Sequence, residues 1–574
     1  MIKSKTRWCA DAKLNFYENM LRYSDERTAI SFWGEDKVTR KISYNQLHDL
    51  VSQLAQYLRS IGVQKGDRVA AFIPNIPEAI IGMLATTSIG AIWSSCSPDF
   101  ETQGVIDRFG QIEPKVLICA DGYWYKGKQI SSYERIKELQ SQLKSLEQII
   151  VVNYAEIQAD YSQLPKTLSY QSAVQNFKPQ SIEFEQTEAE HPVYIMYSSG
   201  TTGVPKCLAH GAIGLLLEHF KELALHTNLT REDNIFYATT CGWMMWNWLV
   251  SALGFGSTVV IYDGFPFLKN GNILFDLADQ EDVSIFGTSA GFISALEKNN
   301  LTPKKTHSLS PLKTILSTGS PLVEENFDYV YSRIKSNVQL CSISGGTDIV
   351  GCFALGCPIL PIVKGQLQCR SLGMDVDVFD EDGNSIRGQT GELVCKNAFP
   401  SMPIYFWNDE GGAKYHAAYF DRFENIWCHG DYAILTGTGG VKILGRSDAT
   451  LNPGGVRIGT AEVYRAIERI TEIEDSLVIG QNWENSERIV LFVKLKDPGN
   501  LDDQLKKRIL SEMPSPRHRP AKILEVSQIP ITRSGKKVEI AVRKVVHGEQ
   551  PKNLAALSNP ESLDEYRDRV ELRS

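Results

Sequence analysis

A repeating rhythm near the start of the chain constrains its fold more than any other feature. Residues 44–63 (YNQLHDLVSQLAQYLRSIGV) carry apolar positions at helical spacing, the turn QKGDR follows, and residues 69–74 (VAAFIP) form a short apolar run. A second round joins residues 79–92 to the run KVLICA at 115–120. Further short apolar runs lie at 148–153, 193–199, 257–263 and 314–320. Helices alternating with such strands predict an α/β fold, a mostly parallel sheet covered by helices. The uncharged stretch 79–97 (AIIGMLATTSIGAIWSSCS) is long enough to weigh as a membrane span. Its Gly, Ser and Thr content, and Pro77 and Pro98 at its ends, instead predict a buried helix running into a buried strand.

Beyond about residue 445 the texture changes. A glycine-rich segment, GRSDATLNPGGVRIGTAEV, leads into a helix pattern (EVYRAIERI), two strand patterns (DSLVIGQ, RIVLFVKL) and another helix pattern (LDDQLKKRILSEM). About a hundred residues of this kind form an α+β unit with its own small core. The chain of 574 residues is therefore expected to divide near Arg446–Asp448, into a large body of residues 1–447 with several subdomains and mixed or parallel sheets, and a small domain of residues 448–574. Hydrophobic residues at 43%, charged residues at 22% and a net charge of −8 fit a soluble globular protein and argue against a general nucleic-acid coat. Eleven scattered cysteines with no CxxC pair exclude a zinc ribbon or a disulfide framework, so reduced thiols in a cytoplasmic enzyme are expected. No apolar run follows the early lysines, so no secretory signal is expected.

The strongest local signal is SSGTTGVPK at 198–206, directly after the apolar strand VYIMY. Glycines let backbone N–H groups turn towards an anion, hydroxyls add donors, and a closing lysine adds a mobile charge. The loop suits polyphosphate, although the Walker A spacing is absent.

With four further segments in order, this loop resembles that of the adenylate-forming acyl-CoA synthetases. The segments are STGSPL (317–322), SGGTD (344–348), HGDYAILTGTGGVKILGRSD (429–448) continuing into LNPGGVRIGTAEV, and ITRSGKK (531–537). The resemblance implies a two-step reaction: carboxylate and ATP give an acyl-adenylate and pyrophosphate, and the thiol of coenzyme A then displaces AMP. It implies that Ser198, Ser199, Gly200, Thr201, Thr202 and Gly203 cradle the β and γ phosphates, with Lys206 supporting. It further implies that Gly319, Ser320 and Pro321 lie against adenine, that Asp431 grips the ribose hydroxyls with Arg446 assisting, and that Asp448 is the hinge, with Arg457 nine residues beyond it. Thr347 stands near the α-phosphate and Asp348 holds Mg2+, at a position where the family more often has Glu. By the same resemblance Lys536 is expected to carry the adenylation step from a mobile C-terminal domain, with Lys537 beside it a solvated charge and Gly454 and Gly455 bordering the coenzyme A arm.

Two places bear on the acid. Family members acting on acetate carry a bulky tryptophan where this chain has Gly345, so a larger acid is expected to fit. Trp243, Met244 and Met245, in the run GWMMWNW, are expected to border the acyl pocket and limit its depth. A closer resemblance, carried by SISGGTDIVGCF, the FWNDEGGAKYHAAYF region and the tail ALSNPESLDEYRDRVEL, is to the members that join acetoacetate to coenzyme A. A 3-keto group calls for a donor in an apolar pocket, and Trp243, Trp246, Asn247 and Ser344 all remain candidates. The alternatives are another short-chain acid (propionate, butyrate or a branched acid), or transfer to a carrier protein. Small-molecule substrates are expected, without nucleic acid or a membrane span, in a monomer or small homo-oligomer. The subgroup usually has a longer segment before the region beginning at Arg7, so the N-terminus is expected to be short.

Overall fold

The computed structural model describes residues 6–198, 205–447, 451–455, 458, 460–467, 470–484, 486–531, 537–551, 557 and 559–574. Two compact units emerge, one of Met1–Tyr197, Cys207–His429 and Ala433–Ile443, the other of Ser198–Lys206, Gly430–Tyr432 and Leu444–Ser574.

The expected α/β rhythm is present in the large unit. The first helix pattern is the helix Tyr44–Ser60, started by a capping box in which Ser43 Oγ accepts from Gln46 N and the Gln46 side chain accepts from Ser43 N. Its buried Leu47, Val51, Leu54 and Leu58 form one stripe. Gly62 and Gly66, both at positive φ, turn the chain into strand Arg68–Phe72. The uncharged stretch becomes the wholly buried helix Pro77–Ser88, with proline in its first turn, and then strand Ile92–Cys96. Among the described residues no helix is long and apolar enough to cross a membrane.

These strands join an eight-stranded sheet, ordered 167–169, 148–152, 116–120, 68–72, 92–96, 192–198, 206–211 and 405–406. A seven-stranded sheet is ordered 339–342, 314–318, 285–289, 234–237, 258–263, 28–34 and 38–43. Its pairs are parallel up to the antiparallel hairpin at 28–43. A four-stranded sheet, ordered 376–379, 391–395, 427–435 and 441–446, has no counterpart among the predicted strands.

The smaller unit has a three-stranded sheet in which Ile473–Trp483 pairs antiparallel with Ser486–Leu495 and the latter pairs parallel with Lys522–Glu525. Helices Thr460–Ile467, Asp503–Glu512 and Glu539–Val546 accompany it. The C-terminal tail completes this core: Leu563, Tyr566 and Leu572 are buried with Leu477, Val490 and Phe492, and the Tyr566 hydroxyl donates to Gln528 O at 2.8 Å.

Candidate active site

The nucleotide-side segments leave the C-terminal ends of two adjacent parallel strands, where open α/β sheets bind ligands. Strand Thr314–Thr318 pairs with Gln339–Ser342, with Ser317 opposite Ser342. The pairing runs on past the strands, because Ile343 N donates to Ser317 O and Thr318 Oγ1 donates to Ile343 O, both at 2.8 Å. Gly319, at φ +92°, breaks the first strand into the turn that carries half-buried Ser320 and exposed Pro321. The second strand continues through Ser344–Gly346 to Thr347 and Asp348. The fold thus brings the expected adenine segment and the Thr-acid pair to one place.

Thr347 and Asp348 are held by groups that the sequence reading did not single out. The Thr347 carbonyl accepts from His210 Nε2 at 3.1 Å. A carbonyl only accepts, so this nitrogen carries the proton, and burial pulls the imidazole pKa down to about 4, keeping the ring neutral. Asp348 is buried, and its Oδ1 accepts from the Tyr419 hydroxyl at 2.5 Å. Tyr419 is fixed in turn by stacking on Trp427 at 3.7 Å and 13°. The only signals for these partners were a lone histidine in an apolar strand and a tyrosine in the AKYHAAY helix. Among the described residues no group of three or more His, Cys, Asp or Glu forms a metal cage. One enclosed carboxylate beside a threonine suits Mg2+ that arrives on nucleotide phosphates, since that ion takes one or two carboxylates and fills its shell with phosphate and water.

A narrow cleft of about 20 Å3 lies where strands Ile92–Cys96 and Pro192–Ser198 meet. Its lining includes Trp93, Ser95, Tyr194, Met196, Cys241, Gly242, Asn247 and Thr347, so it reaches the Thr-acid segment. Asn247 comes from helix Met244–Val250. Trp243, half-buried, immediately precedes that helix. Met244 and Met245 are buried in the same apolar cluster as Trp93, Tyr194 and Met196, as packing beside the cleft.

Gly345 sits in a close backbone contact. A Cβ there would sit 1.9 Å from Gly351 O and 2.5 Å from Cys352 Cα, the facing antiparallel strand. The missing side chain lets two backbones approach.

The phosphate-loop residues Ser199, Gly200, Thr201, Thr202 and Gly203 lie outside the described residues, as do Asp448, Arg457, Lys536 and the side chain of Arg446. At the loop's ends, Ser198 is buried at the close of strand Pro192–Ser198, and Lys206 is half-buried at the start of strand Lys206–Gly211. Asp431 is buried in the middle of strand Trp427–Leu435. Gly454, at φ +58° with nothing within 4 Å of an added Cβ, forms an open turn with Gly455. Lys537 is not the solvated charge expected: its Nζ is 2.7 Å from Asp475, donates to Ser476 O at 2.6 Å and lies 4.2 Å from the Tyr464 ring centre. These three contacts fix the residue that follows Lys536.

Residues 16–406 match the AMP-binding enzyme family and residues 462–536 its C-terminal domain. The chain is 52% identical over 99% of its length to an acetoacetyl-coenzyme A synthetase of Rhizobium meliloti (strain 1021), of which it covers 88%. It is 44% identical, over 99% of its length and 86% of the relative's, to an acetoacetyl-CoA synthetase of Mus musculus. Among solved structures, acetoacetyl-CoA synthetase from Streptomyces lividans superposes with a TM-score of 0.75 at 38% identity, over 98% of this chain and 87% of that one.

Proposed function

The chain belongs to the AMP-binding enzyme family, and from that premise we propose that it ligates acetoacetate to coenzyme A through an acyl-adenylate, releasing AMP and pyrophosphate. A carboxylate repels a thiolate and has no good leaving group, and adenylation supplies one. The first half-reaction gathers negative oxygens about one phosphorus, so preplaced donors and cations lower its barrier.

The observation that carries this reading is the cleft with Thr347 in its wall. It is narrow and lined by polar and apolar groups in similar share. Such a site suits a short acid with its carboxylate towards Thr347 and its remaining carbons in the cleft. In this reading Asp348 holds Mg2+, which when bound neutralises phosphate charge. Ser198 to Gly203 and Lys206 bind the β and γ phosphates, Gly319 to Pro321 border adenine, and Asp431, Arg446 and Arg457 serve the ribose side. Lys536 stabilises the adenylation transition state, Gly454 and Gly455 border the coenzyme A arm, and Asp448 is the hinge between a body of residues 1–447 and a domain of residues 448–574. Trp243, Met244, Met245 and Gly345 shape the acyl end. The reading places the enzyme in a reducing cytoplasm, as a monomer or small homo-oligomer acting on small molecules without nucleic acid.

The test is a panel of acetoacetate, acetate, propionate, butyrate and branched acids, with pyrophosphate and thioester both measured. Acetoacetate is expected to give the highest kcat/KM and one thioester per pyrophosphate. Equal turnover of butyrate, or pyrophosphate release without thioester on free coenzyme A, would overturn the substrate or the acceptor respectively.

A further inference from the structure

The Thr347–Asp348 pair stands in the turn of a hairpin. Strands Ser344–Gly346 and Gly351–Leu355 pair antiparallel with Gly346 opposite Gly351, so residues 347–350 make the turn between them. Ile349 N tightens it by donating to Gly346 O at 3.1 Å. Its last residue, Val350, sits at φ +45°. That left-handed region suits glycine or asparagine, and a β-branched side chain is crowded there. Val350 is 0% exposed, so its carbonyl must find a partner inside the fold.

His219 is that partner. Its Nε2 donates to Val350 O at 2.8 Å. Burial pulls the imidazole pKa down to about 3, so the ring is neutral and Nδ1 is an acceptor. Ser251 Oγ donates to Nδ1 at 2.7 Å, a shorter contact than the 3.1 Å to Asn247 O. Two bonds therefore fix both the ring and its tautomer. An extended Val350 would turn its carbonyl away and leave a buried N–H of His219 unpaired. The other end of the turn is held alike, because His210 Nε2 donates to Thr347 O. His210 lies in strand Lys206–Gly211 and His219 in the helix Ala212–Lys221 that follows it. One continuous stretch of chain thus clamps both ends of the turn that carries Asp348.

We propose that His219 is a positioning residue for adenylation: by holding Val350 in the left-handed turn, it sets where the Thr347 hydroxyl and the Asp348 carboxylate stand. The inference rests on the adenylation reading, which gives that pair the α-phosphate and Mg2+, and it adds the group that keeps their turn in shape. Strained backbone of this kind persists only where its surroundings over-determine it.

His226 supplies the comparison. It is 3% exposed, its Nδ1 donates to Gly356 O at 2.8 Å and its Nε2 accepts from Leu372 N at 3.2 Å. Gly356 lies just past strand Gly351–Leu355, at the end away from the turn. The bond is of the same kind, without a strained residue or a site residue at its far end.

The experiment measures acetoacetate-dependent ATP–pyrophosphate exchange without coenzyme A in the wild type, His219→Leu, His219→Gln and His226→Leu, with calorimetric melting of each. In His219→Leu the kcat is expected to fall about 10- to 100-fold, since a small misplacement of reacting groups costs that much. The KM values for acetoacetate and ATP stay within about threefold, as expected of a loss felt in the transition state. His219→Gln, whose amide still offers an N–H to Val350 O, recovers most of the kcat. His226→Leu loses Tm but keeps its kcat within about threefold. A wild-type kcat in His219→Leu overturns the inference. So does a His219→Gln as slow as His219→Leu, or a His226→Leu that is equally slow. If His219→Leu does not fold, Ser251→Ala carries the test, since it keeps the ring and removes the hydroxyl that orients it. It is expected to lose about 3- to 10-fold in kcat at unchanged KM, and an unchanged kcat overturns the inference. A wild type with no acid-dependent exchange overturns the adenylation reading itself, and the inference with it.

Discussion

The two parallel sheets of the large unit bring different things to their strand ends. The seven-stranded sheet presents a tight glycine turn, a threonine and an enclosed carboxylate, each held by backbone pairing or by an aromatic hydroxyl. The eight-stranded sheet presents a narrow cleft lined by Trp93, Tyr194 and Met196 together with Ser95 and, from a neighbouring helix, Asn247. They meet at His210, a residue of the eight-stranded sheet whose Nε2 donates to the Thr347 carbonyl. Under the proposed function this contrast would separate labour, with chemistry common to every acid on one sheet and the choice of acid on the other.

The largest effect is expected outside both sheets. Lys536→Ala should lose about 10^3-fold in acetoacetate-dependent pyrophosphate release, yet still make thioester from supplied acetoacetyl-adenylate. Equal loss of both half-reactions, read from the same rapid-quench samples, would remove Lys536 from the adenylation step alone. Next in size, Asp348→Ala should slow pyrophosphate release about 10^2- to 10^3-fold for every acid in the panel, with the ranking of acids unchanged. A changed ranking breaks the separation between sheets.

Gly345→Ala should destabilise the large unit by about 1–3 kcal/mol, seen as a lower urea midpoint, because its Cβ meets backbone that has no side chain to move aside. An unchanged midpoint accompanied by a shifted acid preference would leave Gly345 serving the acyl pocket alone. The smallest effect concerns pH. The His210 pKa is held at about 4 in the fold and rises to about 6.5 on unfolding, so the unfolded chain binds more protons between those values. Its contribution is complete above about pH 6.5 and is lost as pH falls towards 4. His210→Gln should therefore lose less Tm than the wild type between pH 7 and pH 5, measured by calorimetry. A wider loss in the variant would mean that the imidazole is charged in the fold.

Much of the body was legible because its parallel strands are buried on both faces and read as unbroken apolar runs, such as 116–120 and 148–152. The four-stranded sheet escaped notice because its strands carry charge inward. Asp377 and Glu392 are buried there, paired with Lys396 and Arg387 or with Arg422, and each interrupts an apolar run. Site segments with an unusual composition, such as STGSPL and SGGTD, announced themselves. Single partners such as His210, Tyr419 and His219 did not, since a lone polar residue in a strand or helix carries no spacing that reports its contact. Gly345 shows a related limit: a sequence shows that a side chain is missing, whereas only the pairing of Ser344–Gly346 with Gly351–Leu355 shows what it would have met.

The central claim is that acid and ATP react before coenzyme A takes part. ATP–pyrophosphate exchange without coenzyme A, measured acid by acid on the wild type, tests it most directly. The account predicts exchange that depends on the acid, is strongest with acetoacetate and is abolished in Lys536→Ala. Exchange that requires coenzyme A, or release of ADP and phosphate in place of AMP and pyrophosphate, would contradict it.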